Sequence, residues 1–426
     1  MQDAPEIKGW CPGALTPMES GDGLLMRAKI VGSRLSLTQL SEIAAIALDC
    51  GNGQIDLSQR AQLQIRGVTE TTLAAAQARL KSIGLLAPDA ATESRLNIVA
   101  SPLANSTSFD ANEVAARLAR AIAEDQALKA LPGKFLFLVD DGSAPGLRDV
   151  GADIRLEARG AQFAVVLDGA RDQAVIASPA AAIDAAVALA RAFIELRAGR
   201  AFELRRMRAL VDAMGAEPLL RASGLKSEPY CSNCRQGALA DLLGAHRIGE
   251  NFFAGLAAPF GRFLAQDFAD LADVASREGA KELRLTPWRA ILAPTRSLEQ
   301  AARIVEAARA LGFIVDAGDA RLVIAACPGA PECSQAKGPT RTGLDAIASV
   351  AKALSRGGIG AHVSGCAKGC AKPSATPLTL VANGGLFDLI HNGAASDPPA
   401  ATGLTLGEIA DVVARHGMTE ASCPRG

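Results

Sequence analysis

Short patterns recur along this chain at nearly constant spacing, and that repetition limits the fold more than any other feature. Arg34, a helical pattern and then Gln54-Ile-Asp-Leu-Ser-Gln-Arg60 return as Arg262, a helical pattern and Glu282-Leu-Arg-Leu-Thr-Pro-Trp-Arg289, at spacings of 228 and 229. Arg95-Leu-Asn-Ile-Val-Ala-Ser-Pro102 returns as Arg321-Leu-Val-Ile-Ala-Ala-Cys-Pro328 at a spacing of 226. A weaker match joins Asp153-Ile-Arg-Leu-Glu-Ala-Arg-Gly160 to Pro377-Leu-Thr-Leu-Val-Ala-Asn-Gly384 at 224. Chance matches between short strand and helix segments would rarely keep this register, so the chain reads as two copies of a unit of roughly 200 residues.

Apolar residues at helical spacing predict helices over 37–49, 71–83, 111–130, 180–197, 202–214, 263–277, 297–311, 342–354 and 406–416. Short apolar or alternating runs predict strands near 54–58, 62–66, 96–100, 135–139, 163–167, 283–286, 322–326 and 378–382. Interleaving of this kind indicates an α+β chain. A hydrophobic fraction of 49% with 44 basic and 45 acidic residues excludes intrinsic disorder. The net charge of −1 gives no global attraction to nucleic acid or to an anionic membrane, so an anionic ligand must be met by a local basic cluster. No secretory leader is visible, and the most apolar stretch, Pro179 to Arg197, is interrupted by Asp184, Arg191 and Glu195. The expectation is a cytoplasmic protein with no nucleic-acid or membrane partner. Nine cysteines in that compartment ask for a ligand or redox role rather than disulfides.

Their spacing points to a metal. Cys327-Pro-Gly-Ala-Pro-Glu-Cys333 and Cys366-Ala-Lys-Gly-Cys370 form a Cys-x5-Cys and a Cys-x3-Cys, 32 residues apart. Four thiolates on turns of small residues suit a [4Fe-4S] cluster. Zinc favours closer Cys-x2–4-Cys pairs, and four buried apolar cysteines are the remaining reading. Gly365 and Gly369 leave backbone N–H groups free for cluster sulfurs. Ser101 stands in the first copy where Cys327 stands in the second, and nothing in the first copy answers Cys366 or Cys370. Only one copy carries the cysteine chemistry.

Cys-x5-Cys followed by Gly-Cys-x3-Cys, in a duplicated chain whose other half lacks the cysteines, resembles the sulfite/nitrite reductase superfamily. Within it, Cys11-Pro-Gly with Pro17-Met18 and Gly21-Asp-Gly-Leu-Leu25, Lys134-Phe135 leading to Val139-Asp-Asp-Gly142, and His362-Val-Ser-Gly-Cys-Ala-Lys-Gly-Cys-Ala371 most resemble the precorrin-3B synthase family. The resemblance spans nearly the whole chain. It implies a duplicated sulfite/nitrite-reductase-like architecture: ferredoxin-like half-domains at 20–94 and 249–320, a first-repeat domain without cluster cysteines at 95–248, and a cluster domain at 321–426 with 1–19. It also implies an oxidoreductase, a dioxygen-dependent monooxygenase of aerobic cobalamin synthesis. Such an enzyme hydroxylates C20 of precorrin-3A, forms a γ-lactone with a ring acetate, and draws electrons from an external donor.

By the same resemblance Arg60, Arg95 and Lys134 occupy anion-handling positions, and Arg289 is the duplicate of Arg60. The superfamily's second active-site lysine is replaced by Leu136, a departure that favours the monooxygenase over sulfite or nitrite reduction. Guanidinium groups bind carboxylates bidentately, which suits a substrate rich in acetate and propionate groups. An oxygen-activating step implies a further mononuclear non-haem iron. With only His246, His362, His391 and His416 in the chain, the usual two-His-one-carboxylate triad is hard to assemble. His362, Asp140 and Asp141 are the catalytic or ligand candidates, with Asp22 beside them; turn chemistry at Gly142 and Gly23 is the competing reading of the acids. Cys231-Ser-Asn-Cys234 reads as an inter-repeat linker, and the run Arg197, Arg200, Arg205, Arg206 and Arg208 as a solvated face. Two rival functions stand beside the main one: a sirohaem-dependent sulfite or nitrite reductase, and a non-catalytic iron–sulfur or zinc protein.

Overall fold

The computed structural model describes residues 10–103, 109–200, 203–232, 234 and 236–415. The chain divides into two units, Trp10–Met18 with Leu24–Val315, and Glu19–Gly23 with the chain from Asp316.

The larger unit holds the most faithful part of the duplication. Strands Gly23–Ala28 and Arg34–Ser36, helix Leu37–Cys50, strands Gln54–Leu57 and Leu63–Val68 and helix Glu70–Ser82 return as Asn251–Ala257, Arg262–Leu264, Ala265–Arg277, Glu282–Leu285, Ala290–Thr295 and Leu298–Ala310. The apolar stripe is copied with the elements. Leu40, Ile43 and Ala47 are fully buried on the first helix, and so are Phe268, Leu271 and Ala275 on its counterpart, 228 residues on in each case. These helices pack against each other, and one continuous core contains side chains from both copies. Helix starts repeat as well: Thr69 and Ser297 each accept the N3 backbone N–H through a side-chain oxygen.

Each copy also lends a strand to the other. Arg34–Ser36 pairs antiparallel with Glu282–Leu285, and Arg262–Leu264 pairs antiparallel with Gln54–Leu57. Arg262 fastens one crossing through Asp56, at 2.8 and 3.0 Å.

The remainder of each copy is a mixed sheet. In the first, Ile98–Ala100, Phe137–Asp140 and Ile154–Arg159 run parallel, followed antiparallel by Gln162–Leu167, Ala170–Ala177 and Glu228–Pro229. In the second, Ile324–Ala326, Ala361–Ser364 and Thr376–Asn383 run parallel, followed antiparallel by Leu386–Gly393 and Ala401–Leu404. Ala111–Glu124 and Pro179–Leu196 belong to the first sheet; Asp345–Leu354 and Leu406–Arg415 occupy the matching chain positions of the second.

Several local expectations shift. The helix expected over 111–130 stops at Glu124, because Asp125 turns extended and its carboxylate caps the following 3-10 turn at Ala127 N. The helix expected from 202 starts at Met207, and Phe202 lies outside the described residues. Leu322 belongs to a 3-10 turn, and the strand begins at Ile324. The hairpin strands Asn251–Ala257 and Ala290–Thr295 are not evident in the sequence, since they are largely buried apolar runs without alternation.

Candidate active site

In the smaller unit the cysteine loops leave the ends of adjacent parallel strands. Cys327 follows Ile324–Ala326; its N–H donates to Val363 O at 3.2 Å, and its Sγ accepts the Gly365 N–H at 3.1 Å. Gly365 cannot carry a side chain, because a Cβ there would lie 2.5 Å from Ala336 Cβ. Cys333 is fixed by its N–H to Gly329 O at 2.7 Å. Thr340 Oγ1 and Arg341 Nε both donate to Cys327 O, at 2.5 and 3.1 Å. Cys370 is exposed as a residue, yet enclosure of its thiol raises the pKa; the charges of Cys327, Cys366 and Cys333 push it the same way, and Lys368 opposes them. The four cysteines therefore share one electrostatic neighbourhood. Among the described residues no three His, Cys, Asp or Glu side chains gather closely enough to hold one metal ion. Zinc needs its thiolates about 2.3 Å from a single atom, whereas a four-iron cube spreads its four thiolates over a larger body. The donor set and its spacing fit the cube better than the ion.

The first copy keeps the same frame with different atoms. Ser101 N–H donates to Val139 O at 3.0 Å, as Cys327 does to Val363, and Ser101 Oγ accepts the Asp141 N–H at 3.1 Å, as Cys327 Sγ accepts Gly365. Asp140 accepts from Ser101 Oγ at 3.3 Å, Gly142 N at 2.9 Å and Leu147 N at 3.1 Å. Burial raises its pKa. Asp141 Oδ1 accepts the Ser143 N–H at 2.9 Å. The two acids build a buried turn, in which Asp141 Oδ2 is left without a partner. Cys234 is buried, and its thiol is pushed up by burial and by Asp140 and Glu157; Tyr230 and Ser232 beside it donate to Glu157 Oε2 at 2.9 and 2.6 Å. That stretch is pinned to the first sheet through Glu157.

His362 is fully buried on strand Ala361–Ser364, and neither ring nitrogen has a partner. Burial, reinforced by Lys372, lowers its pKa to about 4, so the ring is neutral at physiological pH. His246 Nε2 bonds Leu243 O at 2.8 Å, and its ring stacks on Phe253. His391 is exposed beside Asn392. His416 lies outside the described residues. No two-His-one-carboxylate set forms among the described residues.

The larger unit holds the cations. Arg60, in the Ser58–Gln62 turn, donates Nη2 to Lys134 O at 3.0 Å, while its Nη1 is buried without a partner. The Lys134 side chain is exposed. Arg95 has a different role from the expected one. It is 1% exposed and donates to Ala123 O at 2.9 Å, Asp125 O at 2.7 Å and Thr92 Oγ1 at 3.2 Å, which makes it the cap of helix Ala111–Glu124. Arg289 is not the duplicate of Arg60. Ser58 and Thr286 each donate a backbone N–H four residues on, to Gln62 O and Ala290 O, and Ala61 and Arg289 each donate back to them, to Ser58 O and Thr286 O. Both Ala61 and Arg289 have positive φ, 53° and 64°. Arg289 therefore matches Ala61, and Arg60 matches Trp288. Arg289 Nη1 reaches Phe260 O at 3.3 Å. Leu136 is 4% exposed in an apolar cluster with Val99, Leu138 and Leu147. In the basic run, Arg206 pairs with Asp153 and Arg208 with Asp168, and Arg197 lies over Phe193.

Residues 16–83 and 245–311 match the nitrite/sulfite reductase ferredoxin-like half domain. The fold is that of the NirA protein of Mycobacterium tuberculosis, with a TM-score of 0.69 over 95% of this chain and 82% of that one, at 17% identity. An assimilatory ferredoxin-dependent nitrite reductase of Haloferax mediterranei is 27% identical over 62% of this chain and 53% of its own length. A precorrin-3B synthase of a Sinorhizobium species is 30% identical over 92% of this chain and 85% of its own. The chain belongs to the precorrin-3B synthase family. It is thus an oxidoreductase of an iron–sulfur superfamily, and no helix among the described residues is long and apolar enough to cross a membrane.

Membership of the precorrin-3B synthase family directs attention to two cations that the sequence reading passed over. Arg27 and Lys29 are each 7% exposed, and both are held close to Cys11 and Arg60. The signal was available: in Met26-Arg-Ala-Lys-Ile30 two cations alternate with apolar residues, so both fall on one face of the strand end.

Proposed function

We propose that this chain is a precorrin-3B synthase in the full sense, a monooxygenase that hydroxylates precorrin-3A at C20 with formation of the γ-lactone. One oxygen atom of O2 enters the product and the other leaves as water, with two electrons from an external donor and two protons closing the balance. The observation that carries the reading is Leu136. It stands where the reductases' second lysine would supply charge to a bound oxyanion, and it is sealed into an apolar cluster. A chain built to reduce sulfite or nitrite through many proton-coupled steps would keep that cation.

Cys327, Cys333, Cys366 and Cys370 would hold a [4Fe-4S] cluster, which when bound supplies single electrons. The Gly365 N–H stabilises negative charge on the Cys327 sulfur. Arg60 and Arg289 would meet the carboxylates of the tetrapyrrole, with the exposed Lys134 ammonium adding charge. Arg60 is fixed for this by its bond to Lys134 O, and one of its amino groups is left open. Arg95 takes no part.

Anaerobically purified chain supplied with precorrin-3A, a reductant and 18O-labelled dioxygen should yield a hydroxylactone carrying one label by mass spectrometry. Unlabelled product, or no product with a fully loaded cluster, removes the proposal. The second reading, a sirohaem-dependent reductase, is favoured by the nitrite reductase relative. Strong Soret and Q-type bands extractable as sirohaem would establish it; broad cluster absorption alone would exclude it. Zinc without acid-labile sulfide would leave the non-catalytic reading.

A further inference from the structure

The larger unit buries three cations together and gives none of them an acid of its own. Lys29 Nζ donates to Asn97 Oδ1 at 2.7 Å. Arg27 Nη2 and Nε donate to the Gln64 side-chain oxygen at 2.7 and 3.3 Å, and Arg60 Nη2 donates to Lys134 O. All these acceptors are neutral. Nη1 of Arg27 and Nη1 of Arg60 are buried with no acceptor. Cys11, Glu93 and Asp153 act on these cations through space and favour their charged forms, but the carboxylates accept their hydrogen bonds from other groups. Glu93 takes the Ala14 and Leu15 N–H groups at 2.8 and 3.0 Å. Asp153 takes Arg206 together with the Leu136 and Met207 N–H groups. Burial outweighs these groups and holds all three cations below their ordinary pKa, and two guanidinium nitrogens stay unpartnered, so this arrangement is suited to an anion that arrives from outside.

We propose that Arg27 and Lys29 join Arg60 as one seat for the peripheral carboxylates of a polycarboxylate macrocycle, so that the substrate is gripped by its rim of acetate and propionate groups. The identity of the macrocycle rests on the function proposed above; the seat itself does not. Arg27, Arg60, Cys11 and Glu93 are the charged and titratable groups that bear on Lys29. In the empty seat, burial and the two guanidinium groups bring the Lys29 ammonium down to about 7. A docked carboxylate reverses that field and raises its pKa. Binding above pH 7 therefore takes up a proton, and affinity falls as pH rises, by about tenfold per pH unit at most for one linked proton.

Uroporphyrin I, with eight carboxylates, serves as the probe in a fluorescence titration of the full chain from pH 6 to 9, with four-carboxylate coproporphyrin as comparator. Uroporphyrin should bind more tightly than coproporphyrin, and binding should weaken above about pH 7. Arg27→Gln should weaken it by about tenfold or more at every pH, the scale of a lost charge-assisted hydrogen bond. Lys29→Arg should keep the affinity and flatten the pH profile, which a merely structural lysine would not do; Lys29→Met should lose affinity most at pH 6. Unchanged binding in Arg27→Gln and Lys29→Met, or a wild-type pH profile in Lys29→Arg, overturns the seat. So does binding of inorganic sulfate with no uroporphyrin bound, since that marks a small-oxyanion site. If uroporphyrin behaves as described and no labelled oxygen reaches a product, the seat stands and the reaction assignment falls. If the reaction proceeds and these variants bind like wild type, the seat falls alone.

Discussion

The two mixed sheets share a strand order and the same pair of backbone bonds at the loop that follows, yet one loop presents sulfur and the other oxygen. Ser101 and Asp141 are to the first sheet what Cys327 and Gly365 are to the second. The difference shows what the proposed cluster loop needs beyond ligands. Gly365 has no room for a Cβ, whereas the first copy accommodates a whole carboxylate there. Asp140, buried at the end of Phe137–Asp140, ties Gly142 and Leu147 into the turn; Ser364, which ends the matching strand, donates to Cys366 O at 2.7 Å. One loop is closed by its own acids, and the other by a serine hydroxyl and a glycine N–H.

The comparison breaks most easily at the sulfurs. Cys366→Ser or Cys370→Ser should abolish turnover and remove most iron and acid-labile sulfide, while Ser101→Cys should leave iron content unchanged. Equal iron loss from both would mean that the copies are not divided as described. Gly365→Ala comes next, with a cost of about 1–3 kcal/mol from overpacking and a partial loss of iron; Asp141→Gly in the first copy should leave iron untouched. Chemical denaturation with iron analysis separates the two. Ser101→Ala orphans the buried Asp141 N–H and should lower stability by about 1–2 kcal/mol without affecting iron, read as a shift in urea midpoint. The smallest effect is a slope. Because the folded-state pKa of Asp140 is raised by burial, the native chain holds that proton more tightly than the unfolded one. Its contribution to stability is full at low pH and fades as pH climbs above the ordinary carboxylate range. Asp140→Asn should remove that part of the pH dependence above the ordinary carboxylate range, and an unchanged slope would show that the first loop does not depend on its acid in this way.

Much of this was legible in the sequence. The duplication and most helices follow from spacing, and so does the asymmetry of the cysteines, because buried stripes and ligand sets leave periodic marks. The arginines were harder. Arg60 and Arg289 look equivalent because each turn contains one arginine, and only the backbone bonds of the turns reveal that they stand one position apart. Arg95 resembles an anion binder until the carbonyls at the end of helix Ala111–Glu124 are seen to occupy it. Arg27 and Lys29 were lost among 44 basic residues, since sequence alone does not tell a desolvated cation from a hydrated one.

The lent strands bear on how the chain is made. Gln54–Leu57 finds its neighbour in Arg262–Leu264, and Glu282–Leu285 finds its own in Arg34–Ser36. During synthesis the first copy's sheet edge therefore waits for roughly 200 further residues, on the order of tens of seconds at ribosomal speed. Throughout that interval an unpaired edge is presented to every other nascent chain nearby. Neither half should yield a soluble product when expressed alone, and co-expressing the two halves as separate polypeptides should restore one.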